Sequence, residues 1–352
     1  MMKIHPIFRT RIRRMRGFTL VELMVGLVVG MVVLGAATAA FLSVSNSRRE
    51  MERTDRQIEN GRYAMQLMND DIALAGYWGE FNPNLVSLPA SIANGTSGDP
   101  CTTDNANLKL AVPLHIQGYD LGGSAPTCVS DVKSNTDIVV VRRLSTCVAG
   151  SAGCAAATAG TTHMQSTRCN TELALPTIAQ WYVVSSTLAD FTLSKRNCVA
   201  NGADLRKYIV HIYFVANNNN AGDGIPTLKR AELGAGAFSV VPLVEGIDNL
   251  QVEYAIDSDG NGSPNAYTAD PNTYNSCVGP ACVANWSNVT AAKLYVLARA
   301  ADATPGYSDT KAYPMGALAN NSAQEMGPYG DGYKRHAFTA LVRINNAAGR
   351  RE

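Results

Sequence analysis

The sequence predicts an α+β protein. A long N-terminal helix, membrane-spanning in its first half, is expected to pack on a C-terminal antiparallel β-sheet domain with a large loop-rich insertion. Three observations predict this. Residues 18–45 are apolar or small throughout except for Glu22. Residues 46–75 are dense in charge, contain no proline and continue a helical pattern. Short apolar runs rich in β-branched and aromatic residues then recur toward the C-terminus, separated by Gly, Pro, Asn and Ser.

Residues 1–17 form a basic leader with Lys3, Arg9, Arg11, Arg13, Arg14, Arg16 and no acid. Removing those six positive charges from the formal +1 leaves −5 for residues 18–352. A mildly acidic body offers no bulk attraction to phosphate, so no nucleic-acid partner is expected. The apolar stretch 18–45 exceeds the roughly 20 residues a helix needs to cross a bilayer. Arginines ahead of it belong on the cytoplasmic side, which places the C-terminal body outside.

Within 46–75, Met51, Ile58, Met65 and Ile72 recur every seven residues and are joined by Met68 and Ala75. That is a narrow apolar stripe on one helix face. With no breaker from residue 18 to 75, one continuous helix is expected, with Gly76 as its stop. The division is then leader 1–17, membrane half 18–45, a water-facing half 46–76 and a disulfide-containing β-rich domain at 77–352.

Residues 77–135 read as loop-rich. Strands are expected at 137–144, 180–186, 207–216, 238–244, 249–257, 292–300 and 337–345. The segment 146–170, rich in Ala, Gly, Ser and Thr, reads as a surface loop that relies on cross-links. Eight cysteines (Cys101, Cys128, Cys147, Cys154, Cys169, Cys198, Cys277 and Cys282) all lie beyond the apolar segment. An even set there predicts disulfides in an oxidising compartment, and no C-x-x-C pair favours a metal instead. Sequence-local pairing is expected, with Cys277–Cys282 and Cys147–Cys154 foremost.

Asp257, Asp259 and Asn261 alternate ahead of Gly262, a spacing similar to the start of an EF-hand-type calcium loop. The twelfth position is Thr268 rather than an acid, and Asp270 stands two residues further on. A Ca2+ site of weak affinity and a plain polar loop are both consistent with this spacing; no cofactor is required. His5, His115, His163, His211 and His336 form neither H-E-x-x-H nor a close pair, and His211 is expected on a strand face. Gly234 to Ala237 reads as a turn. Neither G-x-S-x-G nor a Walker A string occurs, so no enzyme is expected.

The string Arg16-Gly17-Phe18-Thr19-Leu20-Val21-Glu22-Leu23 resembles the processing site of type IV prepilins. The resemblance implies cleavage by prepilin peptidase between Gly17 and Phe18, methylation of the new N-terminus, and an assembly role for Glu22 at the fifth mature position. A carboxylate in the bilayer costs roughly 2.5–3.5 kcal/mol. The α-amine of a neighbouring subunit would neutralise it and set the register of a filament.

Pro226-Thr227-Leu228-Lys229-Arg230, the run from Val244 to Tyr254, the loop from Asp257 to Gly262 and the ending from Arg335 to Asn346 are similar to the PilW group of minor pilins. The chain departs from many major pilins in lacking a proline midway along the membrane helix. The resemblance implies a single-pass inner-membrane protein with a periplasmic body, then a place in a surface pilus. It also implies partners among other minor pilins, the major pilin and a PilY-type tip adhesin. Two alternatives stand beside it. One is a J-type pseudopilin of type II secretion. The other is a soluble secreted binding domain starting at Ala40, after signal-peptidase cleavage at Ala37-Thr38-Ala39.

Overall fold

A computed structural model describes residues 17–120 and 125–351. The leader as far as Arg16 lies outside the described residues. The chain divides into two units, Met1–Glu52 and Arg53–Glu352. A single helix, α1 (Leu20–Ala73), begins in the first and ends in the second.

In the first unit the apolar side chains of α1 stand exposed, among them Leu20, Met24, Leu27, Met31, Leu34, Phe41 and Val44. The helix is long and apolar enough to cross a membrane, with a mean hydropathy of 2.4 over its most apolar window.

In the second unit α1 buries Gln57, Gly61, Ala64, Met65, Met68, Asp71 and Ile72, one face at three- and four-residue spacing. Thirteen strands follow among the described residues. The first sheet contains β1 (Ile116–Tyr119), β2 (Ile138–Leu144), β3 (His163–Ser166), β4 (Tyr182–Ser185), β5 (Leu205–Ala216), β6 (Thr227–Leu233) and β7 (Phe238–Glu245), all antiparallel. The 12-residue β5 organises it: residues 205–207 pair with β3, 208–213 with β2, and 211–216 with β6. The second sheet runs β13 (Arg335–Arg343), β10 (Val289–Arg299), β8 (Ile247–Ile256), β9 (Ala266–Thr268), also antiparallel. β11 (Tyr313–Ala317) and β12 (Ala323–Met326) make a separate hairpin. The remaining helices are short: α2 (Asn105–Leu110), α3 (Asn170–Leu173), α4 (Pro280–Ser287) and α5 (Asn345–Ala348).

The alternation of strand side chains builds two cores. Val139, Val141 and Tyr213 join Met68 and Ile72 of α1 and Leu250, Leu294 and Val296 of the second sheet. Ile138, Val140, Ile212 and Phe214 point the other way, toward Trp78, Leu108 and Tyr208. Both faces of β2 and β5 are therefore covered, which is why these strands read as continuous apolar runs rather than alternating ones.

Close approach fixes α1 against this body. A Cβ at Gly61 would meet the Phe338 ring at 2.1 Å. Gln57 donates to the backbone carbonyls of Ala298 (2.7 Å) and Lys334 (3.0 Å), and Asn60 donates to that of Glu245 (3.0 Å).

The seven expected strands correspond to β2, β4, β5, β7, β8, β10 and β13. Residues 77–135 are loop-rich as expected, with the short α2 and β1 among the loops. Two readings are corrected. The apolar stripe is buried from Met65 onward, but Met51 is exposed and the buried face includes the polar Gln57 and Asp71. The insertion 146–170 contributes β3, which pairs with both β4 and β5 and so belongs to the sheet. The helix ends at Ala73, and Gly76 follows it at φ +71°, the left-handed conformation glycine adopts without strain.

His115 is buried beside Arg350 and Arg351, with Nε2 2.7 Å from the Val289 carbonyl oxygen. Burial, reinforced by the two arginines, pushes its pKa down to about 4. The unfolded chain binds this proton near pH 6.5 and the folded chain only near 4, so stability from this group is complete above pH 6.5 and falls as pH drops toward 4. Chemical denaturation should show the purified protein about 2 kcal/mol less stable at pH 5 than at pH 7.5. His115→Gln should remove most of that difference; an unchanged difference would contradict the assignment.

Candidate functional site

The start of α1 is built as a reciprocal cap. The Thr19 Oγ1 accepts from the Glu22 backbone N–H (3.2 Å), and Glu22 Oε2 accepts from the Thr19 backbone N–H (3.4 Å). This is the Thr-x-x-Glu capping box, which satisfies two helix N-terminal donors. Its acid also lies where the helix dipole favours negative charge. Glu22 thus has a local role in addition to the assembly role expected of it. Phe18 immediately precedes the cap and is exposed, and a Cβ at Gly17 would meet nothing within 4 Å. The Gly17–Phe18 bond lies just outside the helix.

The described residues pair the eight cysteines in sequence order: Cys101–Cys128, Cys147–Cys154, Cys169–Cys198 and Cys277–Cys282. The sequence separations are 27, 7, 29 and 5 residues. Chain-entropy arguments scale stabilisation with loop length. Replacing Cys169 and Cys198 together with alanine should therefore cost about 3–4 kcal/mol, against about 2 kcal/mol for the Cys277/Cys282 pair. Denaturation of the two double variants tests this, and a larger loss at Cys277/Cys282 would contradict the ranking.

The residues expected to form a calcium loop lie between β8 and β9. The buried Asp257 carboxylate accepts from the backbone N–H groups of Gly260 (2.8 Å), Asn261 (3.2 Å) and Gly262 (2.9 Å), and from Arg351 (3.3 Å). Burial works to raise its pKa, and these hydrogen bonds together with Arg351 bring it below the usual carboxylate value. Asp259 accepts from the side chains of Asn261 (3.0 Å) and Asn265 (3.1 Å). Asp270 accepts from Asn272 beyond β9. Among the described residues no group of three or more His, Cys, Asp or Glu is arranged to hold a metal. Calcium at this loop would have to exchange with Arg351 at Asp257.

Two buried ionic hubs escaped the sequence reading. In the first, Asp71 of α1 meets Arg143 (2.6 Å), His211 (2.6 Å) and the Tyr213 hydroxyl (2.7 Å). Burial works to raise the Asp71 carboxyl, and His211, Arg143 and Tyr213 outweigh it and hold the carboxyl well below its usual range. His211 is thus a strand-face residue that ties the first sheet to α1. In the second hub, Arg335 on β13 reaches Asp248 on β8 (2.6 Å), Asp309 (3.0 Å) and Asp331 (2.6 and 2.7 Å), and Lys133 also pairs with Asp248. Residues 71 and 211, or 248 and 335, lie too far apart in sequence for any local spacing to mark them as partners.

The type IV pilus-assembly protein W family model matches residues 212–346, and the prokaryotic N-terminal methylation motif matches residues 12–38. The first range runs from within β5 to the start of α5; the second contains the capping box. A pilin-like protein PilA3 of Thermus thermophilus is 34% identical over 91 residues, which is 25% of this chain and 39% of the relative. The match thus spans well under half of that relative. A type IV-like pilin structure from Thermus thermophilus aligns over 83% of this chain and 98% of its own at 13% identity, with a TM-score of 0.34. A likeness of that size carries no argument about the fold.

Proposed function

We propose, from the premise that this chain is a type IV pilin-like protein with an N-terminal methylation motif and a PilW-type region, that it is a minor pilin placed near the filament tip, where it helps to initiate pilus assembly. The carrying observation is the apolar surface of α1, exposed along its first half and opened by a capping acid in the first turn of the helix, within the methylation motif. So large an apolar face needs lipid before assembly and other helices after it.

In this reading the precursor sits once in the inner membrane with its body in the periplasm. Prepilin peptidase cuts between Gly17 and Phe18, and the new amine is methylated. The mature chain then assembles with other minor pilins, the major pilin and a PilY-type tip adhesin. A subunit at the extreme tip has no neighbour above it to supply an amine to Glu22. Retention of Glu22 therefore favours a place with at least one subunit above.

Immunogold labelling of sheared filaments with antibody against the body tests the placement. Label at one filament end is expected. Label along the whole length, or loss of protein secretion with normal piliation in a deletion strain, would contradict it; the latter would favour a type II secretion pseudopilin.

A further inference from the structure

One cleft among the described residues plays no part in the proposed assembly role. It is a cleft of about 850 Å³, bounded by the chain leaving α1 (Tyr77 to Glu80), by β3, by the loop closed by Cys169–Cys198, and by the start of β5. We propose that this cleft is a binding site for a small acidic sugar, a uronate-type oligosaccharide carrying few charges and many hydroxyls. The proposal goes beyond pilus membership and does not depend on it.

Charge is the first argument. Four cations line the cleft, Arg168, Lys195, Arg196 and Arg206, against only two acids, Glu80 and Asp204. The acids are engaged: Glu80 pairs with Arg168 at 3.2 Å, and Asp204 with Lys195 at 2.9 Å and Arg206 at 3.4 Å. Among the described residues, Arg196 pairs with no carboxylate. A net charge of +2 on an otherwise acidic body selects an anion, and guanidinium groups suit a carboxylate. The two acids argue against a polyphosphate, whose dense charge they would repel.

The second argument is an orphan donor. Trp78 forms part of the wall, its indole N–H is closed to solvent, and it has no acceptor within the protein. A buried donor left unpaired costs about 1–3 kcal/mol, so it gains from any acceptor that a rearrangement of the cleft wall on binding brings to it. Ser166 and Asn170 add neutral hydrogen-bonding groups of the kind that hydroxyls pair with, and the volume lies within the range of small-molecule sites, about 300–1,000 Å³. The disulfide Cys169–Cys198 holds the loop with Lys195 and Arg196 to the segment with Arg168, so the cations are fixed relative to one another rather than carried on a free strand of chain.

The test titrates the full chain in detergent micelles with digalacturonate, with neutral digalactose and pyrophosphate in parallel. Binding is followed by calorimetry and by the NMR signal of the Trp78 indole N–H, identified through Trp78→Phe. The comparison protein carries Lys195→Ala and Arg196→Ala, both at exposed positions, and an unchanged thermal midpoint verifies its fold. Saturable digalacturonate binding that shifts the Trp78 signal is expected, at least tenfold weaker in the double variant and at least tenfold weaker for digalactose. Absence of saturation, equal binding by the variant, equal binding of the neutral sugar, or tighter binding of pyrophosphate would overturn the proposal.

Discussion

Replacing Arg335 with methionine is expected to destabilise the protein by about 3–5 kcal/mol at neutral pH. Its side chain is almost fully buried, with contacts to Asp248, Asp309 and Asp331 and the Tyr329 ring 3.7 Å from the guanidinium carbon. Removing the cation strands Asp248 and Asp309 in the interior, with Lys133 left to serve Asp248 alone. A buried charge that loses its partner keeps its desolvation penalty, which makes truncation far costlier than loss of a surface pair. Arg335→Lys should recover only part of the loss, because one ammonium cannot match a guanidinium shared by three carboxylates.

The sign with pH is defined. Burial works to raise the Asp248 carboxyl, and Lys133 and Arg335 outweigh it, so its folded pKa lies below the ordinary 3.8. Its stabilising contribution is therefore present above that ordinary value and lost as pH falls through the lower folded one. In Arg335→Met the same carboxyl, short of partners, would accept a proton more readily, so the deficit should shrink as pH approaches 4. Denaturation at pH 7 and pH 4 checks this; a deficit below about 1 kcal/mol at pH 7 would show the hub to be energetically idle.

Glu22→Ala is expected to leave processing and membrane insertion intact and to cause severe loss of surface pili. The capping box adds a rival cause, because alanine removes the cap and the charge together. Glu22→Gln separates them, since glutamine can close the same box without the charge. If a neighbour's α-amine requires a counter-charge in a low-dielectric setting, glutamine should fail nearly as badly as alanine. If capping is the main role, glutamine should restore piliation. Pilus counts in strains carrying only the variant, with processing followed by immunoblot, distinguish the two. Normal piliation in both variants would remove Glu22 from the assembly mechanism.

The parts of this fold that were legible in the sequence are those with long uninterrupted patterns. The exposed apolar length of α1 is written in residues 18–45, and β8, β10 and β13 announce themselves as β-branched and aromatic runs. What was illegible depends on distant partners. The β6 run Thr-Leu-Lys-Arg-Ala-Glu-Leu has no strong strand composition of its own; it is a strand because β5 and β7 flank it. β1 is four residues long and includes Gly118, where a Cβ would meet the Tyr254 hydroxyl at 2.0 Å. Only the folded second sheet reveals that constraint. At Asp257 the calcium-like spacing gives the order of the oxygens, and only the fold shows the backbone donors and Arg351 that they meet. His211 was rightly placed on a strand face, but its partner Asp71 lies on a helix 140 residues away.

The most direct test of the central claim is mass spectrometry of this chain recovered from a sheared-pilus fraction. The expected result is an N-terminal peptide beginning at Phe18, with a methylated amine, in filaments washed free of membrane. A chain beginning at Ala40, a retained Met1, or absence of the chain from filaments that carry their other pilins would contradict it.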